Sequence, residues 1–173
     1  MLLLTTLACT AANIDAPLNA GPEVILGEVR QVIPADNLPE GVQPQTSNNN
    51  LDVVEHTDGR LYLAFRTGPN HFASDAVHLY VLSSDNDGEQ WQLEQDLSMQ
   101  TDLREPRFLS LDDTLILHFA VLGDNPLDFE PQGTMRTIFD GDDWSEPAWM
   151  FDDGFIPWRT RIMNGTPTMI GYT

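Results

Sequence analysis

The sequence predicts an all-β fold, a β-propeller of four-stranded antiparallel blades whose last blade is incomplete. Three observations carry that expectation. A turn followed by an apolar strand, Asp58-Gly59-Arg60-Leu61-Tyr62-Leu63-Ala64-Phe65, recurs as Asp112-Asp113-Thr114-Leu115-Ile116-Leu117-His118-Phe119 and again from Asn164-Gly165-Thr166 to Tyr172; Phe65 to Phe119 is 54 residues and Phe119 to Tyr172 is 53. Gly88 and Trp91 recur as Gly141 and Trp144, each 53 residues on. Between these landmarks the segments are short, rich in β-branched and aromatic residues, and bounded by Asp-Gly, Asn-Gly or Pro-containing turns, with no sustained helical period. Four strands in about 50 residues is the content of one propeller blade. A β-sandwich would use similar strands but gives no reason for the repeat.

The elements follow in chain order. Residues 1–9 form a short apolar run ending in Ala8-Cys9, which resembles the end of a bacterial lipoprotein signal. The resemblance implies export, with lipid attached at Cys9 as the mature N-terminus and the only membrane contact. Residues 10–47, rich in Pro, Asn, Ala and Gly, read as a tether with one strand near Glu23–Ile33. The partial propeller spans 48–173, divided as 48–101, 102–153 and an incomplete 154–173. Its first unit should place strands near Leu51–His56, Leu61–Arg66, Val77–Ser83 and Trp91–Glu94. Its second should place them near Arg104–Ser110, Thr114–Val121, Gly133–Phe139 and Trp144–Trp149. Leu61, Leu63, Phe65, Leu115, Leu117, Phe119, Trp91 and Trp144 are the expected core. Four units of 53 residues would need 212, more than the 173 present, so the expectation is the N-terminal part of a longer propeller.

Composition narrows the partners. With 27 acidic and 8 basic residues the formal charge is −19, which repels phosphate backbones and excludes nucleic acid as a natural partner. At 41 % hydrophobic the chain can still bury a core. The single cysteine and the scattered His56, His71, His78 and His118 offer no metal-ligand spacing, so no metal and no cofactor is expected.

Ser83-Ser84-Asp85-Asn86-Asp87-Gly88-Glu89-Gln90-Trp91 resembles the Asp-box of the sialidase superfamily, the bacterial neuraminidase repeat, and Asp140-Gly141-Asp142-Asp143-Trp144 is a more degenerate copy. Such a hairpin caps its own backbone N–H groups with polar side chains, turns on a glycine and pins its tryptophan into the blade. The same segment also matches positions 1, 3, 5, 6 and 12 of a calcium loop, but no helices flank it. The Asp-box marks the fold and faces away from a propeller's pocket.

The pocket is expected at the opposite end, where each first strand begins. Asn48, Asn49, Asn50 and Asp52 stand there in unit one, Arg104, Glu105 and Arg107 in unit two, and Trp158, Arg159 and Arg161 in unit three. The loops between second and third strands, Arg66 to Asp75 and Gly123 to Gln132, return to it. Arg66, Arg104, Arg107, Arg159 and Arg161, five of the eight basic residues, gather near this end and suit an anionic or polyhydroxylated ligand. The expected substrate-binding set is Asn50, Arg66, His71, Arg104, Arg107, Trp158 and Arg159. The sialidase resemblance implies Asp75 as acid/base, although its Arg-Ile-Pro motif is replaced by Asn49-Asn50-Leu51. Arg104-Glu105-Pro106-Arg107 is similar to the Arg-Asp-Pro motif of five-bladed furanosidases, which implies Asp52 and Glu105 as members of a catalytic carboxylate set. Two functions stand side by side: a sialidase-like glycoside hydrolase, or a non-catalytic propeller that binds glycans or proteins at the cell surface.

Overall fold

A computed structural model describes residues 3–4, 7–9 and 24–173. The chain forms two compact units, Met1–Ala35 and Asp36–Thr173. In the first, β1 (Leu3–Leu4) pairs antiparallel with β4 (Arg30–Gln31), and β2 (Leu7–Cys9) with β3 (Val24–Leu26). The single strand expected near Glu23–Ile33 is therefore two short ones. The lipid-attachment expectation concerns the Cys9 side chain, which lies outside what is described, as do residues 10–23.

The second unit carries the repeat. Strands β5 (Ser47–Glu55), β6 (Leu61–Gly68), β7 (His78–Ser84) and β8 (Gln92–Leu97) form one antiparallel sheet in sequence order. Strands β9 (Leu103–Leu111), β10 (Thr114–Val121), β11 (Gly133–Phe139) and β12 (Ala148–Phe151) form a second, and β13 (Ile156–Met163) with β14 (Thr166–Tyr172) a two-stranded third. The described residues hold no helix, and their strands close no ring.

Alternation explains the packing. Tyr62, Ala64, Leu79 and Val81 turn one face of the first sheet onto Phe108, Leu115, Leu117 and Phe119 of the second, in one continuous core. Tyr62 sits at its centre, its ring against Phe108, Phe139 and Trp144. Leu63, Phe65, Tyr80 and Leu82, on the other face of the first sheet, are buried too. Strands buried on both faces read as unbroken apolar runs, as β6 does. Each such side chain contributes roughly 1.5–3 kcal/mol by leaving water.

Part of that second face is covered by a segment the sequence reading assigned to the tether. Asn37 Nδ2 donates to Glu89 O, Gly41 lies beside Leu93, Gln43 N–H points to the Tyr80 hydroxyl, and Gln45 bonds to Thr67 Oγ1 and Ala76 O. Residues 37–45 thus run as a strap along the sheet, within the compact unit that begins at Asp36.

Turn chemistry sets the registers. Asn164 and Gly165 both take positive φ, 51° and 75°, as a two-residue hairpin turn requires. Because Thr114 pairs with Leu111 and Thr166 with Met163, the second and third hairpins are offset by 52 residues. The counterpart of Phe119 is then Gly171, not Tyr172, which corrects the alignment read from the aromatic residues. In the turn between β7 and β8, Ser84 Oγ accepts from Gly88 N–H at 2.9 Å and Asn86 Oδ1 from Gln90 N–H at 2.9 Å. Of the expected core, Leu63, Phe65, Trp91, Leu115, Leu117 and Phe119 are buried, while Leu61 and Trp144 are partly so.

Candidate functional site

The three first strands, β5, β9 and β13, lie next to one another and are tied by repeated contacts. Phe108 N–H donates to Asp52 Oδ2 at 2.8 Å, and Phe108 O accepts from Thr160 Oγ1 at 2.7 Å. His56 Nδ1 meets Ser110 Oγ at 2.7 Å. Each of the three strands is also interrupted at the same level: the pairing shifts at Asn50 in β5, at Glu105–Pro106 in β9 and at Trp158 in β13. An extra residue in a strand bends it and re-aims the side chain there. Asn50 and Glu105 adopt φ of 44° and 48°, a left-handed conformation that costs a non-glycine residue about 1 kcal/mol or more.

These bulges bring distant residues into one chain of contacts. Asn50 Nδ2 donates to Glu105 Oε1, and Arg107 Nη2 donates to Glu105 Oε2 at 2.6 Å. Arg107 also reaches β13, its Nε donating to Trp158 O at 2.5 Å, while its Nη1 takes Pro106 O at 2.7 Å. Beside this relay runs a groove of about 520 Å³, lined by Leu51–Val54 of β5, Arg107 and Phe108 of β9, and Trp158–Thr160 of β13. Burial raises the Asp52 carboxyl above its ordinary value; the Phe108 N–H and the charges of Arg107 and Arg159 oppose that shift without cancelling it. Trp158 is 56 % exposed, its ring held edge-on to Tyr172 at 5.8 Å. Arg159 is exposed, and its guanidinium forms no hydrogen bond or ion pair with a described residue, though its charge acts on Asp52.

Four sites expected from sequence are placed differently. Arg66 was expected to meet substrate, but its guanidinium is fully buried: Nε pairs with Asp102 Oδ1 at 2.7 Å, and Nη1 and Nη2 hold Asn70 O and Phe72 O. It fastens the β6–β7 loop to the second sheet. Arg104 shares Asp102, Nε to Oδ2 at 2.5 Å, and takes His71 O with Nη2. Arg66 is thus a structural cation with all three nitrogens engaged, while Arg104 is engaged through Nε and Nη2. His71 and Arg104 line a separate cleft of about 320 Å³ with Phe72, Leu127 and Phe129. Asp75 is exposed on the same loop, its side chain bonds to no described residue, and it lines neither cleft.

The registers settle which end is which. Ser47 pairs with Gly68 and Leu103 with Val121, so the bulges and the β6–β7 and β10–β11 loops share one end. Leu61 pairs with Ser84 and Leu115 with Phe139, which puts Asp85, Asp87 and Asp140 at the other. Asp140 there accepts the N–H groups of Asp142 and Asp143, which hold its carboxyl below the usual range. Asn50, Asp52, Glu105, Arg107, Trp158 and Arg159 are thus brought together; Arg66, His71, Asp75 and Arg104 stand apart from them. Asp102, Phe108 and Thr160 were missed. Asp102 follows Thr101 in what reads as a turn, and nothing local signals that it is fully buried between two arginines.

Fold and site together define an all-β repeat protein with a polar groove across its first strands. Set against known proteins, the chain matches no family model and no curated protein.

Proposed function

We propose that this chain is part of a β-propeller that binds carbohydrate in the groove across β5, β9 and β13. The propeller reading is supported by equivalent bulges in three successive first strands and by the repeated contacts between neighbouring sheets. The observation that carries the carbohydrate reading is the exposed Trp158 ring beside Asp52 and Arg159 in one groove. A sugar ring has an apolar C–H face that packs on an aromatic plane and hydroxyls that bond to carboxylate and guanidinium, so it uses all three. The Asp-box resemblance supports the propeller reading alone. Screening the full chain against an immobilised glycan panel tests the reading: binding that is lost in Trp158→Ala supports it, and binding indifferent to that change refutes it.

Hydrolysis is a second reading, favoured by one observation. Asp52 is the groove carboxyl that burial pushes upward, as a proton donor requires, and Glu105 is the neighbouring carboxylate on the relay. Asp52→Asn should then abolish release of reducing sugar while glycan binding persists. Export with lipid at Cys9 is the proposed setting; mass spectrometry of the native protein showing an unmodified Met1 end would refute it.

A further inference from the structure

We infer that the sugar accepted by the groove is neutral and hydroxyl-rich rather than acidic. This deepens the carbohydrate reading and rests on it. The reasoning is an inventory of donors and acceptors. An acidic sugar is recognised by free guanidinium forks that take a carboxylate with two parallel bonds. Arg107, the arginine at the centre of the groove, has all three side-chain nitrogens committed, to Trp158 O, Pro106 O and Glu105 Oε2. Arg66 is buried with all three committed as well, and Arg104 is held by Asp102 and His71 O on the other cleft. That leaves Arg159 as the uncommitted guanidinium among the described groove residues. A single exposed arginine gains little from pairing with a carboxylate in water. A carboxylate brought to it would also meet Asp52 beside it and a protein of formal charge −19.

The acceptors tell the complementary story. Asp52 engages Phe108 N–H through Oδ2 and has no side-chain donor. In the groove the three side-chain nitrogens of Arg107 are engaged, Arg159 is the one guanidinium left, and Asp52 is an acceptor without a side-chain donor. A neutral sugar brings donors; a carboxylate brings only more acceptors.

The test compares matched probes on the full chain by isothermal titration at pH 7: lactose and xylobiose against sialyllactose and a glucuronate-terminated disaccharide. The expected result is neutral probes bound about tenfold or more tightly than their acidic counterparts. Their affinity should hold between about 50 and about 500 mM salt, because no exposed charge pair carries it. Acidic probes binding equally or more tightly would overturn the inference and leave the carbohydrate reading standing. No binding by any probe, with the chain shown folded by circular dichroism, would overturn the carbohydrate reading itself.

Discussion

His118 lies in the middle of β10, between Arg107 of β9 and Arg136 of β11, and is buried. Burial pushes its pKa down to about 4, helped by the positive charge of Arg136 and opposed by a backbone hydrogen bond at Arg107. An unfolded histidine titrates near 6.5. Between those values the unfolded chain takes up a proton that the folded chain refuses, so stability falls as pH falls. The His118 contribution is intact above about pH 6.5 and is lost progressively toward pH 4. With a folded pKa of about 4, the loss is about 2 kcal/mol at pH 5 and about 3 kcal/mol in the acid limit. Urea unfolding of the native chain and of His118→Leu, at pH 7 and pH 5, isolates this part because other titrations are shared. The native chain should lose about 2 kcal/mol more than the variant over that interval. Equal losses in the two proteins would show that His118 is not the buried neutral group described, and would undo the packing argument for the face of β10 that carries it.

Two further perturbations address the scaffold of the site. Arg66→Met leaves Asp102 buried with Arg104 alone, which should cost about 3–5 kcal/mol and speed amide hydrogen exchange across residues 69–77; unchanged exchange would contradict the anchoring role. Tyr62→Ala empties the junction of Phe108, Phe139 and Trp144 and should lower unfolding free energy by about 3–5 kcal/mol, whereas a loss under about 1 kcal/mol would mean the two four-stranded sheets do not share that core.

Much of the strand pattern was legible because local signals and tertiary packing agree. Thr114–Val121 and Gly133–Phe139 are delimited by turn residues and carry apolar runs, and both strands form at those bounds. The last strand of the second sheet was misplaced: the reading began it at Trp144, but Trp144 makes only an isolated bridge to Phe139, and β12 starts at Ala148. Residues 37–45 carry no period-2 alternation because the strap bonds to the sheet through scattered side chains, so they read as tether. The site was legible by position and not by partner. Glu105 and Asp52 could be placed at one end from the repeat, yet which arginines remain free depends on contacts across 36 residues, from Arg66 to Asp102, that no local pattern encodes. Arginine counting suggests an anionic or polyhydroxylated ligand, and the hydrogen bonds show that Arg66 and Arg107 are engaged within the protein through all three side-chain nitrogens.

The central claim is that a sugar binds across β5, β9 and β13. A crystal structure of the full chain soaked with its tightest-binding neutral glycan tests it most directly. The account predicts a sugar ring packed on Trp158 with a hydroxyl within hydrogen-bond distance of Asp52. A glycan seated instead in the cleft of Phe72, Leu127 and Phe129, with the Trp158 ring left bare, would contradict it.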